Sequence, residues 1–212
     1  KTGKFSVVYR GEMQPAGKQV IVKKLLGYSV SGDPALEKYR ILSMMEHPSF
    51  QKVYGVTETE GAVYAVMDYI DGTDMKRWLQ KNGRFRKRDQ VRRVVLDILN
   101  ALYFLHTHKM VHTDIKPANI ILQHVKEHIT RAVLIDPGEA LLLDDPRPAK
   151  KPFALIYGAP EQVLGFTGLI NETTDLYSLG VVMWEMLTGV KPFYYSHPAM
   201  TINLQLNRPL QN

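Results

Sequence analysis

The hydrophobic period of this chain changes once, close to Gly72, and that change constrains the fold more than any other feature of the sequence. Before it, "SVVYRGEM", "KQVIVKKLL", "FQKVYGVTE" and "AVYAVMDYI" are β-branched or aromatic runs broken by Gly, Pro or charge, which is how strands read. A helical stretch, "DPALEKYRILSMM", interrupts them, with Asp33 as its N-cap and Pro34 in its first turn. After the change, "DQVRRVVLDILNALYFLHTH" sets Val91, Val94, Val95, Ile98, Leu99, Leu102 and Leu105 at helical spacing. "TDLYSLGVVMWEMLTG" is almost wholly apolar, as a buried helix is. The pattern predicts an α+β chain in two lobes: a small β-rich N-lobe with one helix over 1–68, a hinge over 69–73, and a larger, mainly helical C-lobe over 74–212.

With 45% hydrophobic and 23% charged residues, the 212-residue chain has enough apolar material for a sizeable core. No apolar run nears the ~20 residues that span a bilayer, and no charged-then-apolar leader opens the chain, so a soluble cytoplasmic protein is expected. The absence of cysteine excludes a disulfide framework and a thiolate zinc site. A formal net charge of +6 favours acidic partners such as nucleotides, acidic peptides or anionic surfaces. Lys1 is not a start methionine, 1–11 reads as a strand already under way, and "LNRPLQN" carries no helix stop; a fragment truncated at both ends is expected.

The chemistry concentrates in "VHTDIKPANIIL". A carboxylate at Asp114, a cation at Lys116 and a carboxamide at Asn119 suit phosphoryl transfer: a base or positioning group for a hydroxyl, a charge for the moving phosphate and a neutral oxygen for a metal. "VLIDPGEA" supplies a second carboxylate, Asp136, at the end of an apolar strand. Acid and amide ligands at the ends of two short strands make a Mg²⁺ site for a nucleotide's phosphates. The plainer alternative is that Asp114 and Asn119 only cap turns; the two motifs in this order weigh against it. His106, His108 and His112 lack a carboxylate or cysteine at ligand spacing and read as packing residues rather than a metal site. "RFRKRDQVRR" reads as a solvated helix face, with an acidic docking surface as the alternative, and the lack of interleaved aromatics argues against nucleic acid.

These motifs resemble those of the eukaryotic-type (Hanks-type) Ser/Thr protein kinase domain, over nearly the whole chain. "HTDIKPANI" is similar to the family's H-R-D-L-K-P-x-N loop, "DPG" at Asp136 to D-F-G, "APE" at Ala159 to A-P-E, and "VIVK" ending at Lys23 to V-A-I-K. The Lys116–Pro117 pair is of the Ser/Thr type, and Thr113 makes this a non-RD variant. The resemblance implies ATP and Mg²⁺ (or Mn²⁺) as cofactors and a protein substrate, acidic ones included. Asp114 would take the substrate hydroxyl's proton, Lys116 would meet the γ-phosphate, and Asn119 with Asp136 would hold the metal. It further implies that Gly3 belongs to a glycine loop and that Lys23 binds the α- and β-phosphates with Glu37 as its ion-pair partner. Met67 would be the gatekeeper, the backbone of Asp68 and Ile70 would read the adenine edge, Asp74 would meet the ribose, and Val8 and Ile121 would sandwich the base. The rival from another class is a pseudokinase acting as a nucleotide-binding or scaffolding module; a small-molecule phosphotransferase fits the A-P-E segment less well.

Departures from the family pattern are as informative. Lys1 and Ser6 stand at glycine positions of the loop, Ile21 replaces the alanine above the adenine, and Pro137 replaces Phe. Counting back from His47 puts Lys38 rather than Glu37 at the ion-pairing position, so either the following loop is a residue longer or the Lys23 pair is rearranged. Between Asp136 and Glu161 there is no Ser and no Thr; Ala154 stands where the family has Thr, and Tyr157 bears the segment's only hydroxyl. Without an Arg at 113 to receive a phosphate, a kinase not switched by activation-loop phosphorylation is expected.

Overall fold

The computed structural model describes residues 6–26, 36–126, 128–144 and 154–207. The chain divides into two compact units, Lys1–Asp71 and Gly72–Asn212. Gly3, Asp33 and Pro34 lie outside the described residues.

The first unit is an antiparallel sheet of β1 (Ser6–Met13), β2 (Lys18–Leu25), β3 (Val53–Thr59) and β4 (Ala62–Asp68) in the order β1-β2-β4-β3, with one helix, α1 (Glu37–Met44), packed on β3. Alternation puts Val63, Ala65 and Met67 of β4 inward, as a half-covered strand requires. They meet Val20, Leu25, Tyr39, Leu42 and Val53 in the core, all under 7% exposed. The β3–β4 turn passes through Glu60 and Gly61, both at positive φ (51° and 68°), which matches the twist of a two-residue hairpin. The third strand starts at Val53, not at Phe50 as its apolar run suggests. His47 explains this: its carbonyl accepts from Phe50 N at 3.1 Å and its ring Nδ1 from Ser49 N at 3.2 Å, so 47–50 is a turn.

The second unit is mainly helical. It opens with β5 (Thr73–Asp74), α2 (Met75–Asn82) and α3 (Arg88–Thr107), followed by β6 (Met110–Val111), β7 (Ile120–Val125), β8 (His128–Leu134) and β9 (Leu141–Leu142). The strands form a sheet ordered β5-β7-β8 and a pair, β6-β9. Three helices complete the unit: α4 (Pro160–Val163), α5 (Glu172–Thr188) and α6 (Pro198–Asn207). The α3 stripe of Val94, Ile98, Ala101, Leu102 and Leu105 is fully buried, chiefly against β8 and α5. Gly72 is a place where only glycine fits: φ is +152°, and a Cβ would lie 2.6 Å from the Leu122 carbonyl oxygen. No helix among the described residues is long and apolar enough to cross a membrane.

Candidate active site

The site grows out of one buried carboxylate. Asn171 caps α5 by accepting from Thr173 N at 2.8 Å, which starts the helix so that Asp175 falls in its first turn. There the helix N-terminus favours negative charge. Asp175 is fully buried, and its two oxygens are spent on holding a loop: Oδ1 accepts from Thr113 N (2.8 Å), and Oδ2 accepts from His112 N (2.8 Å) and faces His106 Nε2 at 2.9 Å. A carboxylate this deep persists only when its lone pairs are engaged.

His112 passes the constraint on. Its Nδ1 accepts from Asp114 N at 3.3 Å, so its Nε2 carries the proton and donates to the Ile135 carbonyl at 3.2 Å. The other histidines go elsewhere, His108 to the Phe104 carbonyl at 2.7 Å, and no metal-holding cluster occurs among the described residues. Thr113 sits at φ +66°, a left-handed conformation unfavourable for a β-branched residue. Both of its peptide groups are pinned: its N–H by Asp175, and its carbonyl by Gln162 Nε2 at 2.9 Å. Gln162 in turn accepts from Ala159 N at 3.0 Å, so one buried side chain ties the 111–119 loop to the start of α4.

Held in this way, Asp114 is 7% exposed. Its Oδ2 receives Lys116 Nζ at 2.5 Å and Asn119 Nδ2 at 2.9 Å, and Asn119 Nδ2 also donates to the Asp114 carbonyl at 2.9 Å. Its Oδ1 is buried with no hydrogen-bond partner among the described residues. Leaving a carboxylate oxygen unsatisfied costs roughly 1–3 kcal/mol or more, and a ligand's hydroxyl at that oxygen would recover it. Both Asn119 amide hydrogens are directed at Asp114, which leaves the amide oxygen to meet a cation. Ile135 N donates to the Asn119 carbonyl at 2.9 Å, so Asp136 follows directly on the residue paired with Asn119. Asp136 is half-buried, at φ 62°, with Oδ1 accepting from Gly138 N at 3.3 Å as the cap of a short 3-10 turn led by the buried Pro137. Two hard oxygen donors on neighbouring strand ends fit a divalent cation such as Mg²⁺.

The segment leading into α4 is anchored from the far end of the unit. Gln205 of α6 donates to the carbonyls of Leu155 (2.6 Å) and Ile156 (3.2 Å). Tyr157 is 8% exposed and its hydroxyl donates to Glu185 Oε2 at 2.6 Å; burial, then this bond, pushes the phenol above the usual tyrosine range. Glu161 accepts from the Thr174 hydroxyl at 2.5 Å.

The remaining candidates are distributed over both units. Asp74 caps α2: Oδ1 accepts from Arg77 N at 2.9 Å and Oδ2 lies 3.2 Å from Arg77 Nε. Ile121 lies opposite Asp74 in β7. In the first unit, Val8 pairs with Lys23 across β1–β2, and Ile21 with Met67 and Lys23 with Ala65 across β2–β4. Lys23 is 7% exposed. Asp68 is engaged on every side: its carboxylate by Tyr54 and Lys18 (both 3.1 Å), its carbonyl by Gln51 Nε2 (2.8 Å) and its N–H by the Lys52 carbonyl (2.9 Å). Ile70 is half-buried. Glu37 takes Arg40 at 2.9 Å on the open side of α1, while Lys38 beside it is 5% exposed. Gln162 was not singled out from the sequence, where nothing marks a glutamine after "APE" as special.

A family model for the protein kinase domain matches residues 2–211. The chain is 28% identical over 198 residues to serine/threonine-protein kinase PrkC of Bacillus subtilis (strain 168), covering 90% of this chain and 30% of that protein. It is 30% identical over 168 residues to serine/threonine-protein kinase PknF of Mycobacterium tuberculosis (strain H37Rv), covering 76% of this chain and 34% of that protein. The chain thus spans about a third of the length of these relatives.

Proposed function

The chain belongs to the protein kinase domain family, and from that premise we propose that it transfers the γ-phosphate of ATP, with Mg²⁺ or Mn²⁺, to Ser or Thr hydroxyls of a protein substrate in the cytoplasm. The observation that carries this reading is the divided Asp114 carboxylate: one oxygen holds Lys116 and Asn119, and the other is buried without a partner among the described residues. A substrate hydroxyl donating to Oδ1 is oriented and loses its proton to Asp114 as its oxygen bonds to the γ-phosphorus. The bond from that phosphorus to the ADP oxygen breaks in the same displacement. Lys116 offsets the charge that builds on the moving phosphoryl group. Asn119 and Asp136 would hold the divalent cation, which supplies neutralisation of the phosphate charges when bound.

In this reading 1–68 is the N-lobe, 69–73 the hinge and 74–212 the C-lobe. The resemblance makes Gly3, Val8, Ile21, Lys23, Met67, Asp68 and Ile70 of the first unit, and Asp74 and Ile121 of the second, each a candidate to contact the nucleotide, with Glu37 as the candidate partner of Lys23. Radiolabelled ATP with a generic protein substrate tests the reading, wild type beside Asp114→Ala and Asp136→Ala. Label transfer should fall on the order of 10²–10⁴-fold for Asp114→Ala. No transfer by any of the three, with ATP binding retained, would instead fit a nucleotide-binding pseudokinase.

We further propose that activation-loop phosphorylation does not switch this domain. Thr113 has no charge to receive a phosphate, 136–161 has no Ser or Thr, and the Tyr157 hydroxyl is occupied by Glu185. Gln162, joining the Thr113 carbonyl to Ala159, supports the reading with a neutral tether between the loop and the A-P-E segment.

A further inference from the structure

The second unit carries a groove of about 660 Å³, none of whose lining residues belongs to the 111–119 loop, and it gathers Arg77, Lys81, Arg84, Arg86, Lys87 and Lys126. These cations come from α2, from the 83–87 segment and, as Lys126, from the turn that follows β7, so they are not the repeating charge of one solvated helix face. They converge because Gly83 ends α2 at φ +77° and turns the chain back, Phe85 being buried with its N–H on the Met186 carbonyl at 2.8 Å. Arg77 meets Asp74, and none of the other five pairs with a carboxylate among the described residues. Uncompensated like charges around a concavity repel one another and raise the local potential toward anions.

The groove is not uniformly polar. Trp78 and the buried Ile129 also line it, and Trp78 packs on Phe85 with ring centroids 4.0 Å apart. An apolar spot ringed by cations, in a volume typical of ligand clefts, matches a ligand with the inverse pattern. From this charge complementarity we infer that the groove is a docking site for an acidic protein segment, Asp and Glu flanking one apolar side chain. A bilayer surface fits poorly, being flat where the groove is concave. Nucleic acid fits poorly too, because base stacking needs exposed aromatic faces and the one aromatic here is covered on one side by Phe85. The inference concerns binding alone and does not depend on ATP turnover.

Polarisation of a short fluorescein-labelled peptide of Asp and Glu around a central Leu tests it on the full chain. Lys81→Glu with Lys87→Glu should weaken binding on the order of tenfold, as lost attraction and new repulsion add. Arg92→Glu with Arg93→Glu, an equal charge change on α3 outside the groove lining, should shift it by no more than about threefold, the difference screening permits. Replacing the peptide's Leu by Ser, or Trp78 by Ala, should weaken it further. Equal losses from both charge-reversal pairs, indifference to the Leu, or tighter binding of a single-stranded oligonucleotide or an anionic vesicle would each overturn the assignment.

Discussion

The loop at 111–119 and the strands of the first unit are built on different terms. Around Asp114, the loop's backbone is held by buried side chains: Asp175 takes the His112 and Thr113 N–H groups, His112 the Asp114 N–H, Gln162 the Thr113 carbonyl and Asn119 the Asp114 carbonyl. The candidates on β1, β2 and β4 hold their places through the strand ladder, which any side chain tolerates. The contrast bears on two of the departures from the family pattern, Ile21 and Thr113. Ile21 exchanges one side chain on a ladder that persists regardless, whereas the network around Asp175 can lose no member without stranding another. Thr113 is the informative exception: its side chain departs, but its strained backbone is retained, because the contacts that matter go to its N–H and carbonyl.

The sharpest way to break this contrast is to remove the hub. Asp175→Ala strands the His112 and Thr113 N–H groups in a dry interior and should cost about 3–5 kcal/mol, the range for breaking a buried charged cluster. Asp68→Ala, which loses Lys18 and Tyr54 at the end of β4, should cost no more than about 1 kcal/mol. Urea titrations of the two variants measure both, and similar losses would dissolve the distinction. Next in size is Gln162→Leu, which keeps the volume but frees the Thr113 carbonyl and the Ala159 N–H. It should cost about 1–3 kcal/mol and lower kcat more than the KM for ATP. A variant destabilised to that extent with kcat unchanged would make Gln162 merely structural.

Smaller effects sharpen the account. Thr113→Asn, an exchange that suits φ +66° better, should raise the melting temperature by the equivalent of about 0.5–1 kcal/mol with turnover unchanged. Ile21→Ala should tighten ATP by only a few-fold, since it relieves crowding without adding a contact; thermal shift with and without Mg²⁺ reads it, and weaker binding would mean that Ile21 packs on the base.

Much of the fold could be read because its elements rest on local periodicity. The runs ending in Met13, Leu26 and Ile70 lie on β1, β2 and β4, and the stripe from Val91 to Leu105 lies on α3. The helices α2 and α6 were illegible for a physical reason. In α2 the apolar Met75, Trp78 and Leu79 fill little more than one turn of a short helix, too brief a run to establish a period, and α6 turns Thr201 and Gln205 inward, so its buried face is polar. The site divides likewise. Asp114, Lys116 and Asn119 are close in sequence, so a motif captures them, whereas the bonds from Asp175 and Gln162 to Thr113 span 62 and 49 residues. No local pattern encodes such a pairing.

The central claim is that the catalytic loop is set by this internal network rather than by a phosphate. It is tested most directly by the initial rate of phosphoryl transfer after exhaustive phosphatase treatment, with intact-mass analysis of the same sample. The account predicts an unchanged rate for the fully dephosphorylated protein, and no gain from Thr113→Arg. A rate that falls in step with the loss of a phosphate located between Asp136 and Glu161 would contradict it.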